Sequence, residues 1–182
     1  MPFNTSLGSI AVAAFIFPVL ARYSRSMVIK WPNDIARVQA GVVHKIAGVL
    51  LEEKRGLLIA GIGVNIRAPE FPPDGESLPP AGLLAPGETC EELAPLALWT
   101  RMIAALKNSA SGATDILWNV INNNLLWKNA EVWHIDGRER TRGILLGIGE
   151  DGAALLRTAT GIKRVATGSL RPADKLELLK YI

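Results

Sequence analysis

Cysteine is almost missing from this chain: its 182 residues hold one, Cys90. A single thiol closes no internal disulfide, so the fold must rest on packing and hydrogen bonds, and such usage fits a reducing cytoplasm. Histidine is nearly as scarce, with His44 and His134 far apart in sequence, too few to build a zinc cluster with one cysteine. No Gly-x-Ser-x-Gly elbow occurs, which leaves a serine nucleophile without support. The Gly61-x-Gly63 pair lacks the third glycine and the following helix of a dinucleotide fingerprint. Charge of one sign is also thin. Residues 1–127 carry ten basic and ten acidic side chains and residues 128–182 carry ten against seven, giving the net +3. That excess is too small for a stripe that tracks a polyphosphate backbone, so neither DNA nor RNA is an expected partner. The apolar run Ile10–Leu20 is too short to span a bilayer, lacks a basic lead-in and contains Pro18. No membrane association is expected, and the run reads as a buried helix packed on a sheet.

What is present is apolar material in quantity, 49% of residues against 20% charged, enough for one sizeable domain with a small second unit. Val28–Trp31 reads as a short strand ended by Pro32, after which Asn33 and Asp34 supply turn-compatible side chains. Two apolar runs, 45–52 and 56–66, flank the charged turn Glu53-Lys54-Arg55-Gly56 and predict a hairpin with both strands largely buried. From Pro69 to Pro86 the proline, glycine and acid content predicts a surface loop with little regular structure. Thr89 with Glu92 matches a capping box, predicting a helix through about Ser109 with Leu93, Leu96, Ala97, Ile103, Ala104 and Leu106 on its apolar face. A second helix is predicted from about Thr114 to Trp127, burying Ile116, Leu117, Val120, Ile121, Leu125 and Leu126. After Lys128 short runs at 130–135, 139–147, 152–158 and 161–167 alternate with turn signals, the spacing of a small antiparallel barrel. The predicted division is therefore 1–128 and 129–182.

Three strings stand out between residues 30 and 66. They are Lys30-Trp31-Pro32-Asn33-Asp34, then Lys45-Ile46-Ala47-Gly48-Val49-Leu50-Leu51-Glu52, then Gly61-Ile62-Gly63-Val64-Asn65. Glycines at 48, 61 and 63 would let a flat ligand lie against strands. Lys45 at the mouth of a hairpin is either an edge-strand guard or a cation that neutralises phosphate. Asn33 and Asp34 are by default a turn cap, Asn65 a loop starter and Trp31 a core residue.

Taken together, in this order and spacing, the strings resemble the biotin–protein ligases. The resemblance runs along the chain: residues 8–27 are similar to the helix before the first string, 88–127 to the closing helices, and 130–171 to a small SH3-like C-terminal domain. It implies an α+β fold, with a mixed or antiparallel sheet packed with helices in a class II synthetase-like core, followed by an SH3-like barrel. It implies a two-step reaction as well. Biotin's carboxylate attacks the α-phosphate of ATP with Mg2+ present, and a lysine of a biotin carrier domain then attacks the biotinyl-AMP. In that scheme Lys45 matches the lysine that meets phosphate and carboxylate. Asp34 matches the aspartate that orients or deprotonates the incoming amine, and Asn33 and Asn65 match positions near the adenylate. Gly48, Leu50, Gly61 and Val64 match the biotin pocket. A relative that activates lipoate would share the fold, but the Trp-Pro-Asn-Asp string points to biotin.

One companion of these strings does not occur in the 182 residues, the Gly-Arg-Gly-Arg-type loop that the family carries upstream. The resemblance thus implies that part of a catalytic domain is not represented. It also implies a sheet edge that pairs with a second copy or with a separately encoded N-terminal half. The same feature leaves a second expectation standing, a ligase-like or split protein that binds a partner or ligand without completing the reaction.

Overall fold

A computed structural model describes residues 8–24, 26–69, 78–109 and 114–174. The architecture is α+β, with two antiparallel sheets and three helices among these residues. The first sheet runs in sequence order: β1 (Met27–Lys30), β2 (Asp34–Gln39), β3 (Val42–Lys54) and β4 (Leu57–Val64). Among the described residues parallel pairing is confined to isolated bridges, Ile29 with Leu125 and Lys45 with Pro80.

Helix α1 (Gly8–Leu20) is the apolar run seen in the sequence, and nine of its 13 residues are buried. It packs on β3 and against helices α2 (Pro95–Ser109) and α3 (Thr114–Asn124). Pro18 falls in its last turn and is exposed. Ile10, Ile16, Leu20, Ile29, Ile35 and Ile46 form the centre of this core. Each such side chain contributes about 1.5–3 kcal/mol by leaving water.

β2 had no counterpart in the sequence reading. It is closed onto β3 by a two-residue turn at Ala40 and Gly41, whose φ of 49° and 72° suit a twisted hairpin. Arg55 and Gly56, at φ 55° and 77°, close β3 onto β4 in the same way. The register skips between Ile35 and Ala36, and this bulge brings Asp34 opposite Gly48 and Ala36 opposite Lys45.

Several expectations are corrected. The β3–β4 hairpin is not largely buried: Leu50, Leu57 and Ile59 are 61%, 68% and 50% exposed. These three side chains share the sheet face opposite α1, which no helix covers among the described residues, so apolar content misled. No capping box forms. Thr89 precedes a single 3-10 turn, Glu91–Leu93, and α2 starts at Pro95, whose missing N–H suits the first helical position. α2 buries Leu98 and Met102, while Leu96 is 77% exposed. The buried face runs through Leu98 and Met102 rather than through Leu96 and Ala104. α3 ends at Asn124, earlier than expected, and leaves Ile116 exposed while Leu117 and Ile121 are buried.

The expected loop 69–86 lies partly outside the described residues. Its described stretch 78–84 is not a surface loop. Ala81, Gly82 and Leu83 are buried, and the segment is stitched down by Lys45 N–H to Pro79 O and Ala81 N–H to Lys45 O, both at 2.9 Å. A Cβ on Gly82 would sit 2.5 Å from the Ala68 nitrogen and the Arg67 carbonyl carbon, so this close approach requires glycine.

The second sheet has the order β8-β7-β6-β5-β9. Its strands are β5 (Glu131–Asp136), β6 (Glu139–Ile148), β7 (Ala154–Thr158), β8 (Gly161–Val165) and β9 (Ser169–Pro172), the last unforeseen. Val132, Leu145, Leu156 and Leu170 fill its inner face. Trp31 joins the two sheets. Its indole N–H donates to Gly152 O at 2.9 Å, and its ring lies 6.2 Å from that of buried His134.

Candidate functional site

Antiparallel register places the three strings side by side. Gly48 faces Gly63 and Leu50 faces Gly61 across β3 and β4, so three glycines form one smooth floor on the sheet face opposite α1. Above that floor lies an open groove of about 550 Å3, lined by Lys45, Gly48, Leu50 and Gly61 with Asn33 and Asn65. Such floors admit a flat ligand because no Cβ stands in the way. The space above Gly63 is empty to 4 Å.

The asparagines hold the groove's shape. Asn33 donates its side-chain amide to Val49 O at 2.9 Å and accepts from Val49 N–H with its backbone oxygen. Asn65 reaches Lys45 O with its side chain and Ile46 O with its backbone N–H. Both thus pin loop ends onto β3, next to the lysine.

At the lysine end the groove is ionic. Lys45 Nζ lies 2.6 Å from Asp34 Oδ1, with the lysine side chain 39% exposed and the aspartate 11%. The contact is an ion pair without hydrogen-bond angles, which leaves Oδ1 without a hydrogen-bond partner. Lys30, paired with Asp34 across the β1–β2 turn, places its Nζ 3.9 Å from Oδ2 with its side chain 10% exposed. Burial pushes the Lys30 ammonium below its usual range; Asp34 resists that shift, and Arg171 and Lys45 add to it. A Cβ at Gly48 would fall 3.0 Å from Lys45 Nζ and 3.3 Å from Asp34 Oδ1, so the pair lies over that glycine.

The structure therefore brings together seven of the eight residues singled out in the sequence: Asn33, Asp34, Lys45, Gly48, Leu50, Gly61 and Asn65. Val64 stands apart. It pairs with Ala47 and packs against the core beneath the sheet. Lys30 was missed as a participant, although it opens the first string. A second hollow, about 370 Å3 between Ile66–Arg67 and Thr89–Ala94, has no comparable grouping; its Arg67 guanidinium already donates to Glu88 O at 2.7 Å.

A biotin–[acetyl-CoA-carboxylase] ligase of Mycobacterium tuberculosis is 35% identical over 79 residues. The solved apo biotin protein ligase of Aquifex aeolicus superposes with a TM-score of 0.72 at 26% identity, covering 92% of this chain and 75% of that one. The chain is similar to biotin protein ligases. The same Aquifex ligase solved with biotin and ATP matches with a TM-score of 0.69 at 24% identity, over 94% of this chain and 74% of that one. The match to the Mycobacterium ligase takes in 42% of this chain and 28% of that relative's length. No protein-family model matches the chain.

Proposed function

We propose that the chain carries the core of an ATP-dependent biotin–protein ligase, which activates biotin as biotinyl-AMP and transfers it to a carrier-domain lysine. The observation that carries this reading is the Lys45–Asp34 pair at one end of a glycine-floored groove on which all three strings converge. Joining a carboxylate to a phosphate brings two anions together. A fixed ammonium at the meeting point stabilises the charge that builds up at phosphorus. Lys45 is that cation. Asp34, beside it, receives or orients the incoming amine in the second step. Gly48, Leu50 and Gly61 line the biotin end, Asn33 and Asn65 frame the nucleotide end, and Val64 supports the floor from below.

Biotin and ATP suit a groove of this size and polarity. Magnesium is a poorer fit to the protein's own donors, because Asp34 at the lysine end is already shared by two ammonium groups. We assign residues 1–128 to the catalytic unit and 129–182 to an SH3-like unit, the biotin carrier domain to the role of acceptor, and a reducing cytoplasm as the location. Among the described residues no helix is long and apolar enough to cross a membrane.

A second reading is a ligase-like or split protein that binds without completing the reaction. The exposed Leu50, Leu57 and Ile59 favour it, because an apolar face beside the groove calls for a second copy or a separately encoded half. Biotin-dependent ATP–pyrophosphate exchange, with light scattering on the same sample, separates the two. The ligase reading expects exchange that falls at least about 100-fold in Lys45→Ala. Biotin binding with no exchange in any oligomeric state would select the second reading.

A further inference from the structure

Lys30 raises a question that the ligase reading leaves open. A buried ammonium is unfavourable unless it is closely paired, yet Lys30 stands 3.9 Å from a carboxylate that Lys45 already holds at 2.6 Å. Around Lys30 are Asp34 on β2, Lys45 on β3 and Arg171 on β9, with the Leu125–Leu126 backbone closing over Ile29 beside it. Two cations share one carboxylate at a place where a single lysine would have balanced it.

We propose that Lys30 is a positioning residue that shares Asp34 with Lys45, and so loosens the Lys45–Asp34 pair enough for Lys45 to pass to an incoming anion. The inference rests on the ligase reading for the identity of that anion, a carboxylate or phosphate in the groove. At rest Lys45 is drawn down over Gly48 by Asp34. If Asp34 had no second partner, the move of Lys45 to a ligand would strand a carboxylate that is 11% exposed. With Lys30 present, the same move leaves Lys30 and Asp34 as a neutral pair. It also separates two like charges that crowd each other in a poorly solvated place. The cross-strand pairing of Lys30 with Asp34 keeps this second cation fixed while Lys45, more exposed and on a long stem, is the one that travels.

The test reads Lys45 directly. The folded protein is pulse-labelled with an amine-acetylating N-hydroxysuccinimide ester, and labelling at Lys45 is followed by mass spectrometry. Lys30→Met should tighten the remaining pair and slow Lys45 labelling by about threefold or more. Asp34→Asn should speed it, and Lys30→Arg should restore the wild-type rate. With Asp34→Asn already in place, adding Lys30→Met should no longer slow it. Lys30→Gln replaces Lys30→Met should the latter fail to fold. Unchanged Lys45 labelling in the Lys30→Met or Lys30→Gln protein overturns the inference, as does failure of Lys30→Arg to restore it. Pyrophosphate exchange is measured beside it. Where exchange is present, Lys30→Met should raise the KM for biotin more than it lowers kcat. Labelling that follows the expected order with no exchange refutes the ligase reading while leaving the charge-sharing intact.

Discussion

At the scale of single residues, burial and charge decide which side chains report on pH. His44 sits across from Arg37 in the β2–β3 pair, and its Nδ1 is buried without a hydrogen-bond partner. Burial first, and then Arg37, hold its pKa below the ordinary 6.5. The unfolded chain therefore takes up a proton before the folded one does. The His44 contribution to stability is full above pH 6.5 and is lost as pH falls through the lowered value. Urea midpoints at pH 7.5 and 5.5 should show a smaller acid loss in His44→Gln than in the wild type; equal losses would sink this assignment. The same scale shows what the sequence made legible. Lys45 and the glycines stood out because they interrupt apolar strand runs, whereas Asp34 read as a turn cap and drew notice only through the resemblance of the three strings. The place of Lys30 was not legible, since its burial depends on neighbours from about 95 to 140 residues later, Leu125 and Arg171.

Elements were legible where periodicity dominates and illegible where backbone contacts do. The buried α1 and the β3–β4 hairpin followed from their apolar runs, with the turn at Arg55-Gly56 marking the register. Exposure of β4 could not be read from composition, because eight residues without a charge look the same whether or not anything covers them. The stretch 78–84 shows the opposite failure. Its prolines and glycines signalled a loose loop, yet backbone hydrogen bonds lay it along β3 and beyond Asn65, with Leu83 N–H to Asn65 O at 2.9 Å. Gly82 is the weak point of that seam. Gly82→Ala forces the backbone apart and should destabilise the protein by about 1–3 kcal/mol, measured by chemical denaturation. A loss within about 0.5 kcal/mol would mean that the seam does not hold in solution.

For the whole molecule, Trp31 ties the string at the site to the second sheet. Trp31→Phe keeps an aromatic ring near His134 but leaves Gly152 O without its donor, at a cost of about 1–3 kcal/mol. Differential scanning calorimetry should then show the single transition of the wild type broadening or splitting into two. A wild type that already melts in two steps would contradict the coupling. This tie also explains why Trp31 looked like plain core in the sequence: its partners come more than 100 positions later.

The three glycines under the groove are not equivalent. Gly48 lies beneath the Lys45–Asp34 pair, a Cβ added at Gly61 would meet Leu50 O at 3.8 Å, and one added at Gly63 would meet nothing within 4 Å. Gly48 is thus tied to the charge machinery, whereas Gly61 and Gly63 set only the clearance. Adding single carbons at Gly63, then Gly61, would raise the floor in steps while leaving the ion pair intact. The groove's depth can in this way be changed stepwise without disturbing its charges.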